Sequence, residues 1–183
     1  MDKKKLSAIL TFALLVIVIV GGSIFYNNQK NKVETNNNTD PNAIPAIDFN
    51  VQNTYGTNTY LSDFKDGKPI IINFWSSQCG PCVQEMPDFQ RLYDDYKDEV
   101  HFVLIDSIGA IGETKELGKA FIKTNGYTFP VYFDINQNAQ EAYGITQFPT
   151  TYLINGNFEI IRGGAGMITY DAVATVLNDI LGE

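Results

Sequence analysis

The sequence has few of the side chains that bind metals or nucleic acids. Its 183 residues include two cysteines, one histidine and one tryptophan. Two Cys and one His fall short of the four ligands of a structural zinc site, so we expect no metal and no cofactor. Acidic residues outnumber basic ones by 21 to 13, for a net charge of −8. Nucleic-acid binding needs basic surface, which this chain lacks.

A single long apolar run predicts a membrane anchor. Residues 6–25 are apolar on every face and follow three lysines within residues 1–5, and about 20 such residues cross a bilayer. The run exceeds the core of a cleavable signal peptide and lacks an A-x-A-like site, which favours an anchor; the small residues 21–23 keep cleavage open. The lysines place residues 1–5 in the cytoplasm and the remainder outside the cell membrane.

The chain beyond the anchor divides into a linker and one folded domain. Residues 26–43 are polar and Asn-rich, which is typical of a flexible linker. Residues 44–183 alternate strand and helix patterns and end with a hairpin and a helix, which predicts an α/β domain with a mixed sheet. The predicted elements are a hairpin within 46–60, strands at 70–75, 100–105 and 130–133, helices after residue 82 and at 113–124, 137–143 and 170–181, and a hairpin of 150–154 and 158–161. Residues 163–166 (GGAG) are predicted to break the chain.

Both cysteines lie in one motif, Cys79-Gly80-Pro81-Cys82, between a buried strand and a helix. A CxxC in this setting is typical of thiol–disulfide exchange, since free N–H groups and the helix dipole stabilise a thiolate at the helix start. We predict Cys79 as the nucleophile and Cys82 as the resolving thiol. Gly80 leaves Cys79 open to a protein disulfide, and Pro81 suits the first helical turn. A purely structural disulfide would close too short a loop to stabilise the fold much.

Several further motifs accompany the CxxC. They are Leu61-Ser62-Asp63-Phe64, Asn73-Phe74-Trp75, Glu85-Met86-Pro87, Tyr143-Gly144-Ile145 and Phe148-Pro149-Thr150-Thr151. With the CGPC motif they resemble the thioredoxin-like superfamily, and within it the TlpA/ResA-type membrane-anchored thiol–disulfide oxidoreductases, over residues 44–181. The resemblance implies a thioredoxin-like fold with a mixed central β-sheet, an N-terminal β-hairpin extension and a central strand–helix insertion at 106–133.

The resemblance also implies a substrate-binding surface. Pro149 matches the family's cis-proline beside the CxxC, and Phe148 matches the residue whose backbone pairs with an incoming substrate strand. We assign Trp75, Gly80 and Pro81 to the same predicted surface. Substrates would be proteins that carry disulfides.

One carboxylate is implied in proton transfer. Glu85 matches a carboxylate that the family uses near its cysteines, and it shares a helix face with Cys82, three residues before it. The alternative is an ordinary solvated glutamate. Thioredoxins proper carry a buried Asp at the position of Asn73; since Asn cannot shuttle a proton, base work for Cys82 falls to Glu85 or water. Gln78 replaces the family's usual Trp and makes the surface more polar.

The implied function is a membrane-tethered reductase of protein disulfides, monomeric and supplied with electrons by a membrane thiol donor. Family members serve cytochrome c maturation, spore envelope assembly or repair of oxidised extracytoplasmic proteins, and the sequence does not choose among these roles. A disulfide-forming oxidase is the first alternative, because direction depends on the reduction potential.

Two other functions on the same fold need particular partners for the cysteines. A copper-delivery module would use His101 as its distal ligand, although the start of a strand favours a packing role for that side chain. A peroxidase would need an arginine beside a lone attacking cysteine, and neither Arg91 nor Arg162 is suggestively placed.

Overall fold

A computed structural model describes residues 43–182. The predicted N-terminal segment, the membrane anchor and all but the last residue of the predicted linker therefore lie outside the described residues. Between residues 43 and 182, no helix combines the length and the apolar character needed to cross a bilayer.

One mixed sheet and four α-helices form the described part of the chain. The strands are β1 (Ile44–Pro45), β2 (Asn50–Gln52), β3 (Asn58–Tyr60), β4 (Ile70–Trp75), β5 (His101–Asp106), β6 (Val131–Phe133), β7 (Thr150–Ile154) and β8 (Glu159–Ala165). The helices are α1 (Gly80–Tyr96), α2 (Lys115–Asn125), α3 (Asn138–Ala142) and α4 (Tyr170–Leu181). The strand order is β1-β8-β7-β4-β5-β6-β2-β3. The predicted α/β fold with a mixed sheet is confirmed.

The central strand β4 is buried on both faces because helices and the N-terminal hairpin cover the sheet from opposite sides. It runs parallel to β5 and antiparallel to β7, and all six of its residues are buried. Ile71 joins the apolar layer under α1 and α4. Ile70 and Ile72 point the other way, into a layer completed by residues of the hairpin and α3. This alternation is the two-residue period of a strand.

The strand–helix insertion and the N-terminal hairpin extend the sheet at one edge, beyond β5. β2 and β3 pair antiparallel, and β2 joins the sheet through β6. α2 and β6 follow β5, so the insertion places its helix against the layer under α1, where Phe121 and Ile122 are half-buried. Leu117, in the first turn of α2, is exposed.

The predicted chain break at residues 163–166 is wrong for its first three residues. Gly163, Gly164 and Ala165 continue β8 and pair with residues 150–152 of β7. Gly163 lies opposite Tyr152, and a Cβ at position 163 would overlap the tyrosine ring. Glycine is used here because it leaves room for that ring, which is a packing reason that a local sequence pattern cannot display.

Replacing Gly163 by Ala should destabilise the fold, because the new methyl group would displace the ring of Tyr152. We expect Gly163→Ala to lower the free energy of unfolding by about 1–3 kcal/mol. Gly164→Ala is the matched control, since a Cβ there meets no atom within 4 Å. Urea denaturation of the two variants measures the difference, and equal stabilities would contradict the packing explanation.

Candidate active site

The two cysteines lie where β4 ends and α1 begins. Cys79 is the N-cap residue of α1, and its Sγ accepts a hydrogen bond from the backbone N–H of Cys82 at 3.3 Å. The pair forms a disulfide, with the Cα atoms 5.2 Å apart. Cys79 is 5% exposed and Cys82 has no exposed surface. Cys79 is therefore the sulfur nearer to solvent, and a free helix N–H is in place to stabilise its thiolate after reduction.

The loop before β7 lies beside the end of β4. Phe74 pairs with Thr150, so Pro149 comes next to the residues that lead into Cys79. The Phe148–Pro149 peptide bond is cis. Pro149 is buried and Phe148 is half-buried. Within residues 43–182, neither the N–H nor the carbonyl of Phe148 has a hydrogen-bond partner, so both can pair with another chain.

The predicted substrate-binding residues do not share one surface. Gly80 and Pro81 are exposed at the start of α1. Trp75 has no exposed surface, because its ring packs on Phe121 of α2 with the ring centroids 5.7 Å apart. Trp75 therefore belongs to the packed interior and has no surface that a docked substrate could contact.

Glu85 is buried in a polar network on the face of α1 that carries Cys82. It is 1% exposed, so the alternative of a solvated glutamate does not apply. Its Oε1 accepts from the side-chain amide of Asn73 and its Oε2 from the backbone N–H of Ile168, both at 2.9 Å. The same amide donates to Thr151 Oγ1 at 3.1 Å. Asn73 therefore holds the carboxylate without itself being able to take a proton.

The buried position changes the acidity of Glu85. Burial raises the pKa of Glu85 to about 7, against the opposing effect of the hydrogen bonds from Ile168 and Asn73. A carboxyl group with this pKa can both take and give a proton near neutral pH. It lies three residues after Cys82 on the same helix face. The arrangement can therefore serve a proton transfer at the second cysteine.

A second buried carboxylate holds the turn between β4 and Cys79. Glu113 is 2% exposed. It accepts hydrogen bonds from the hydroxyls of Ser76 and Ser77, at 2.9 and 3.1 Å, and from the backbone N–H of Ser77. The backbone N–H of Thr114 donates to its Oε1 at 3.0 Å. Glu113 therefore joins the loop before α2 to the turn that carries the first cysteine.

A third carboxyl group, Asp106, ends β5 without any hydrogen-bond partner. It has no exposed surface, and neither of its oxygens is paired within the part of the chain that the structure describes. Burial, and next the charge of Glu113, raise the pKa of Asp106 to about 8. The carboxyl lies against Gly118 of α2, where a Cβ would overlap it. This raised pKa favours the protonated form of Asp106 at pH 7.

The sequence interpretation missed both Glu113 and Asp106. A signal existed for Asp106, since it ends an otherwise apolar strand and the carboxyl ends of adjacent parallel strands meet at one edge of a sheet. Glu113 had no such signal. It precedes Thr114, the N-cap residue of α2, where an acidic side chain is common for reasons of the helix dipole alone.

His101 is not placed to share a metal with the cysteines. It pairs with Ile70 at the start of β4, whereas the cysteines follow the other end of that strand, roughly 16 Å away at 3.3 Å per residue. Its Nε2 lies 3.0 Å from Asp66 Oδ1. Residues 43–182 contain no group of three or more side chains that could hold a metal ion.

The two arginines lie on α1 and β8. Arg91 lies 3.6 Å from a carboxylate oxygen of Asp88 and its guanidinium stacks on the ring of Tyr170 at 4.1 Å. Arg162 lies in the middle of β8 and pairs with Leu153. Arg91 is therefore engaged with Asp88 and Tyr170, whereas Arg162 lines a groove between β8 and α4.

Comparison with known proteins points to thiol–disulfide chemistry. Residues 43–162 match the AhpC/TSA family. The chain is 31% identical over 179 residues to the thiol-disulfide oxidoreductase ResA of Bacillus subtilis (strain 168), covering 97% of this chain and 95% of ResA. The crystal structure of StoA from Bacillus subtilis is similar, with a TM-score of 0.61 and 30% identity over 73% of this chain and 97% of StoA. The pneumococcal lipoprotein thioredoxin Etrx1 of Streptococcus pneumoniae strain TIGR4 aligns with a TM-score of 0.64 and 27% identity, over 73% of this chain and 99% of Etrx1.

Glu85 should make the stability of the oxidised protein depend on pH. Its pKa of about 7 in the folded protein lies above the ordinary 4.5, so bound proton stabilises the fold below pH 4.5 and this stabilisation is lost as the pH rises through about 7. We expect this loss to be roughly 3 kcal/mol smaller in Glu85→Gln than in the wild type. The amide of Asn73 can flip to accept from the new side chain, because its Oδ1 has no partner within residues 43–182.

Urea denaturation between pH 4.5 and 8 measures this loss. Asp106 is present in both proteins, so its own contribution cancels in the difference. Glu99→Gln, at an exposed position after α1, is the control and should follow the wild type. Identical pH dependence in Glu85→Gln and the wild type would show that Glu85 does not carry the raised pKa.

Proposed function

We propose that this protein, which belongs to the AhpC/TSA family and is a thiol–disulfide oxidoreductase, reduces the disulfide bonds of other proteins with the Cys79–Cys82 pair. The observation that carries the proposal is the position of Cys79 as the N-cap residue of α1. The sulfur of Cys79 is the more exposed of the two and faces the N–H of Cys82. A nucleophilic thiolate is favoured at such a position.

The reaction begins with the reduced pair. The Cys79 thiolate attacks one sulfur of a substrate disulfide, an S–S bond forms between Cys79 and the substrate, and the second substrate sulfur leaves as a thiolate. Gly80 and Pro81, exposed next to Cys79, leave space for the substrate chain. The unpaired backbone groups of Phe148 would bind that chain as a short strand beside the cysteine.

The second step releases the product. The Cys82 thiol gives its proton to the Glu85 carboxylate, and its sulfur attacks Cys79, closing the intramolecular disulfide and expelling the remaining substrate thiolate. Two electrons have then passed from the pair to the substrate. The pKa of Glu85, raised by burial to about 7, matches this proton transfer at neutral pH.

A largely apolar groove next to Glu85 is a candidate site for a side chain of a protein substrate. The groove has a volume of about 320 Å³, lies between β8 and the start of α4, and includes Ile168 and Met167 in its lining. The backbone N–H of Ile168 donates to Glu85, so the groove adjoins the proton-transfer group. An apolar side chain next to the substrate's cysteine would fit there.

We further propose that the folded domain is tethered outside the cell membrane. Residues 6–25 would span the bilayer, residues 26–43 would act as the linker, and a membrane thiol donor would return electrons to the pair. Residues 40–183 carry nineteen acidic and eight basic side chains, so anionic lipid would repel the domain and keep it extended on its linker.

The buried acids around the pair favour reduction over disulfide formation as its activity. A strong disulfide-forming oxidant needs a heavily stabilised reduced form. Here the cysteines are followed by Glu85 and preceded by a turn bound to Glu113, and negative charge near Cys79 opposes thiolate formation. A disulfide-forming oxidase is the alternative, and the direction of electron flow separates the two.

Single cysteine variants test the proposal. Cys82→Ser should trap a disulfide-linked complex with a protein substrate such as insulin, because no thiol remains to resolve it. Cys79→Ser should trap none and should lose essentially all reductase activity with dithiothreitol as donor. Non-reducing gel electrophoresis and insulin reduction measure both effects. Equal trapping by the two variants would show that Cys79 is not the nucleophile.

A further inference from the structure

The contacts of Glu113 impose an unusual requirement on that side chain. Oε2 accepts the backbone N–H of Ser77, and Oε1 accepts the backbone N–H of Thr114. Each oxygen also accepts one serine hydroxyl. Both oxygens must therefore be acceptors, because a backbone N–H cannot reverse its direction as a hydroxyl can. Glutamine, which has the same shape, would set its NH₂ group against one of the two N–H donors.

The turn that Glu113 binds leads directly to the nucleophile. Ser76 and Ser77 lie between the end of β4 and Cys79, and the N–H of Cys79 donates to the carbonyl of Ser76 at 3.2 Å. Ser77 is two residues from Cys79, so the Glu113 carboxylate lies within about 10 Å of Cys79 by chain length alone. A substitution of Glu113 should therefore shift Cys79, because only the Ser76–Ser77 turn separates them.

We propose that Glu113 is a positioning residue for Cys79, which clamps the Ser76–Ser77 turn as an ionised carboxylate and holds one fixed negative charge behind the nucleophile. The proposal rests on the proposed role of Cys79 and adds a residue outside the CxxC helix to the site. The clamp fixes where the sulfur sits at the start of α1. The charge opposes formation of the Cys79 thiolate and so favours the electron-donating direction.

The hydrogen bonds of Glu113 and Asp106 indicate which of these two neighbouring acids carries the negative charge. The carboxyl group of Asp106 is fully buried and accepts no hydrogen bond within residues 43–182, whereas the carboxylate of Glu113 accepts four. The negative charge therefore stays on Glu113 and the proton on Asp106. The other buried acid of the site is Glu85, three residues after Cys82 in α1, and it is left unchanged in every variant below.

The test measures the acidity of Cys79 in a Cys82→Ser background, where it is the only thiol. Glu113→Gln should increase the acid dissociation constant of Cys79 by about tenfold, the effect of removing one charge at this distance in a partly buried site. Asp106→Asn should leave the constant unchanged at pH 7 and below, because the replaced group is already neutral. Thiolate absorbance and the pH dependence of alkylation by iodoacetamide measure it.

A second variant separates the charge from the clamp. Glu113→Asp keeps the charge but is too short to bind both Ser77 and Thr114. It should leave the acidity of Cys79 within about twofold of the wild type. In the chain with both cysteines it should lower the rate of insulin reduction by about tenfold or more, as expected for a displaced reacting group.

Asp134→Asn is the matched control for lost stability. Asp134 is also buried, and its two oxygens also accept backbone N–H groups, those of Ala139 and Gln140, but within residues 43–182 it has no hydrogen bond to Ser76 or Ser77. The Asp134→Asn variant should have a lower free energy of unfolding, while the acid dissociation constant of Cys79 stays as in the parent protein.

Three results would overturn the proposal. The first is an unchanged acid dissociation constant of Cys79 in Glu113→Gln. The second and third are an increase of that constant in Asp106→Asn, or in Asp134→Asn, as large as in Glu113→Gln. The acidity of Cys79 can be measured whether or not the wild-type protein reduces insulin, so a failure of the proposed function is seen separately.

Discussion

Cys79 is the N-cap residue of α1 and lies four residues after the end of the fully buried strand β4. The rest of the site depends on this junction between strand and helix. The buried strand fixes the position of the turn that follows it. The helix supplies the backbone N–H of Cys82, which donates to the sulfur of Cys79. The cis-proline loop lies beside the same junction because β7 pairs with β4. A substrate strand bound at Phe148 would therefore be brought to the nucleophile by sheet geometry, without a loop movement.

Three buried carboxyl groups surround this junction, and their hydrogen bonds give each a different charge state. The carboxylate of Glu113 accepts four hydrogen bonds, which favour its ionised form, whereas the carboxyl of Asp106 accepts none within residues 43–182 and its pKa is raised to about 8; Glu85 accepts two and its pKa is raised to about 7. Burial is the largest cause of the raised pKa of both Asp106 and Glu85; the charge of Glu113 adds to it at Asp106, and two hydrogen bonds oppose it at Glu85. In the proposed mechanism Glu113 fixes the turn before Cys79 and Glu85 takes the proton of Cys82, so one site would contain both functions.

The sequence was enough to predict the local elements and the chemistry of the cysteine pair. The strand at 70–75, the CxxC at a helix start and the final helix have strong local patterns, and each is present in the structure. The features that could not be predicted depend on contacts between distant segments. Position 163 in β8 is a glycine because the ring of Tyr152 occupies the space of a side chain. Glu113 hydrogen-bonds to Ser77, 36 residues earlier in the chain. Trp75 is buried because α2 packs over it, although its motif suggested a substrate contact.

The central claim is that the Cys79–Cys82 pair donates electrons to protein disulfides. The most direct measurement is the reduction potential of the pair, obtained by equilibration with dithiothreitol or glutathione buffers at pH 7. The arrangement of buried acids around Cys79 predicts a reducing value, about −270 mV or lower, in the range of thioredoxin. A value near −120 mV, as found for a strong disulfide-forming oxidant, would contradict the account and assign the protein to disulfide formation.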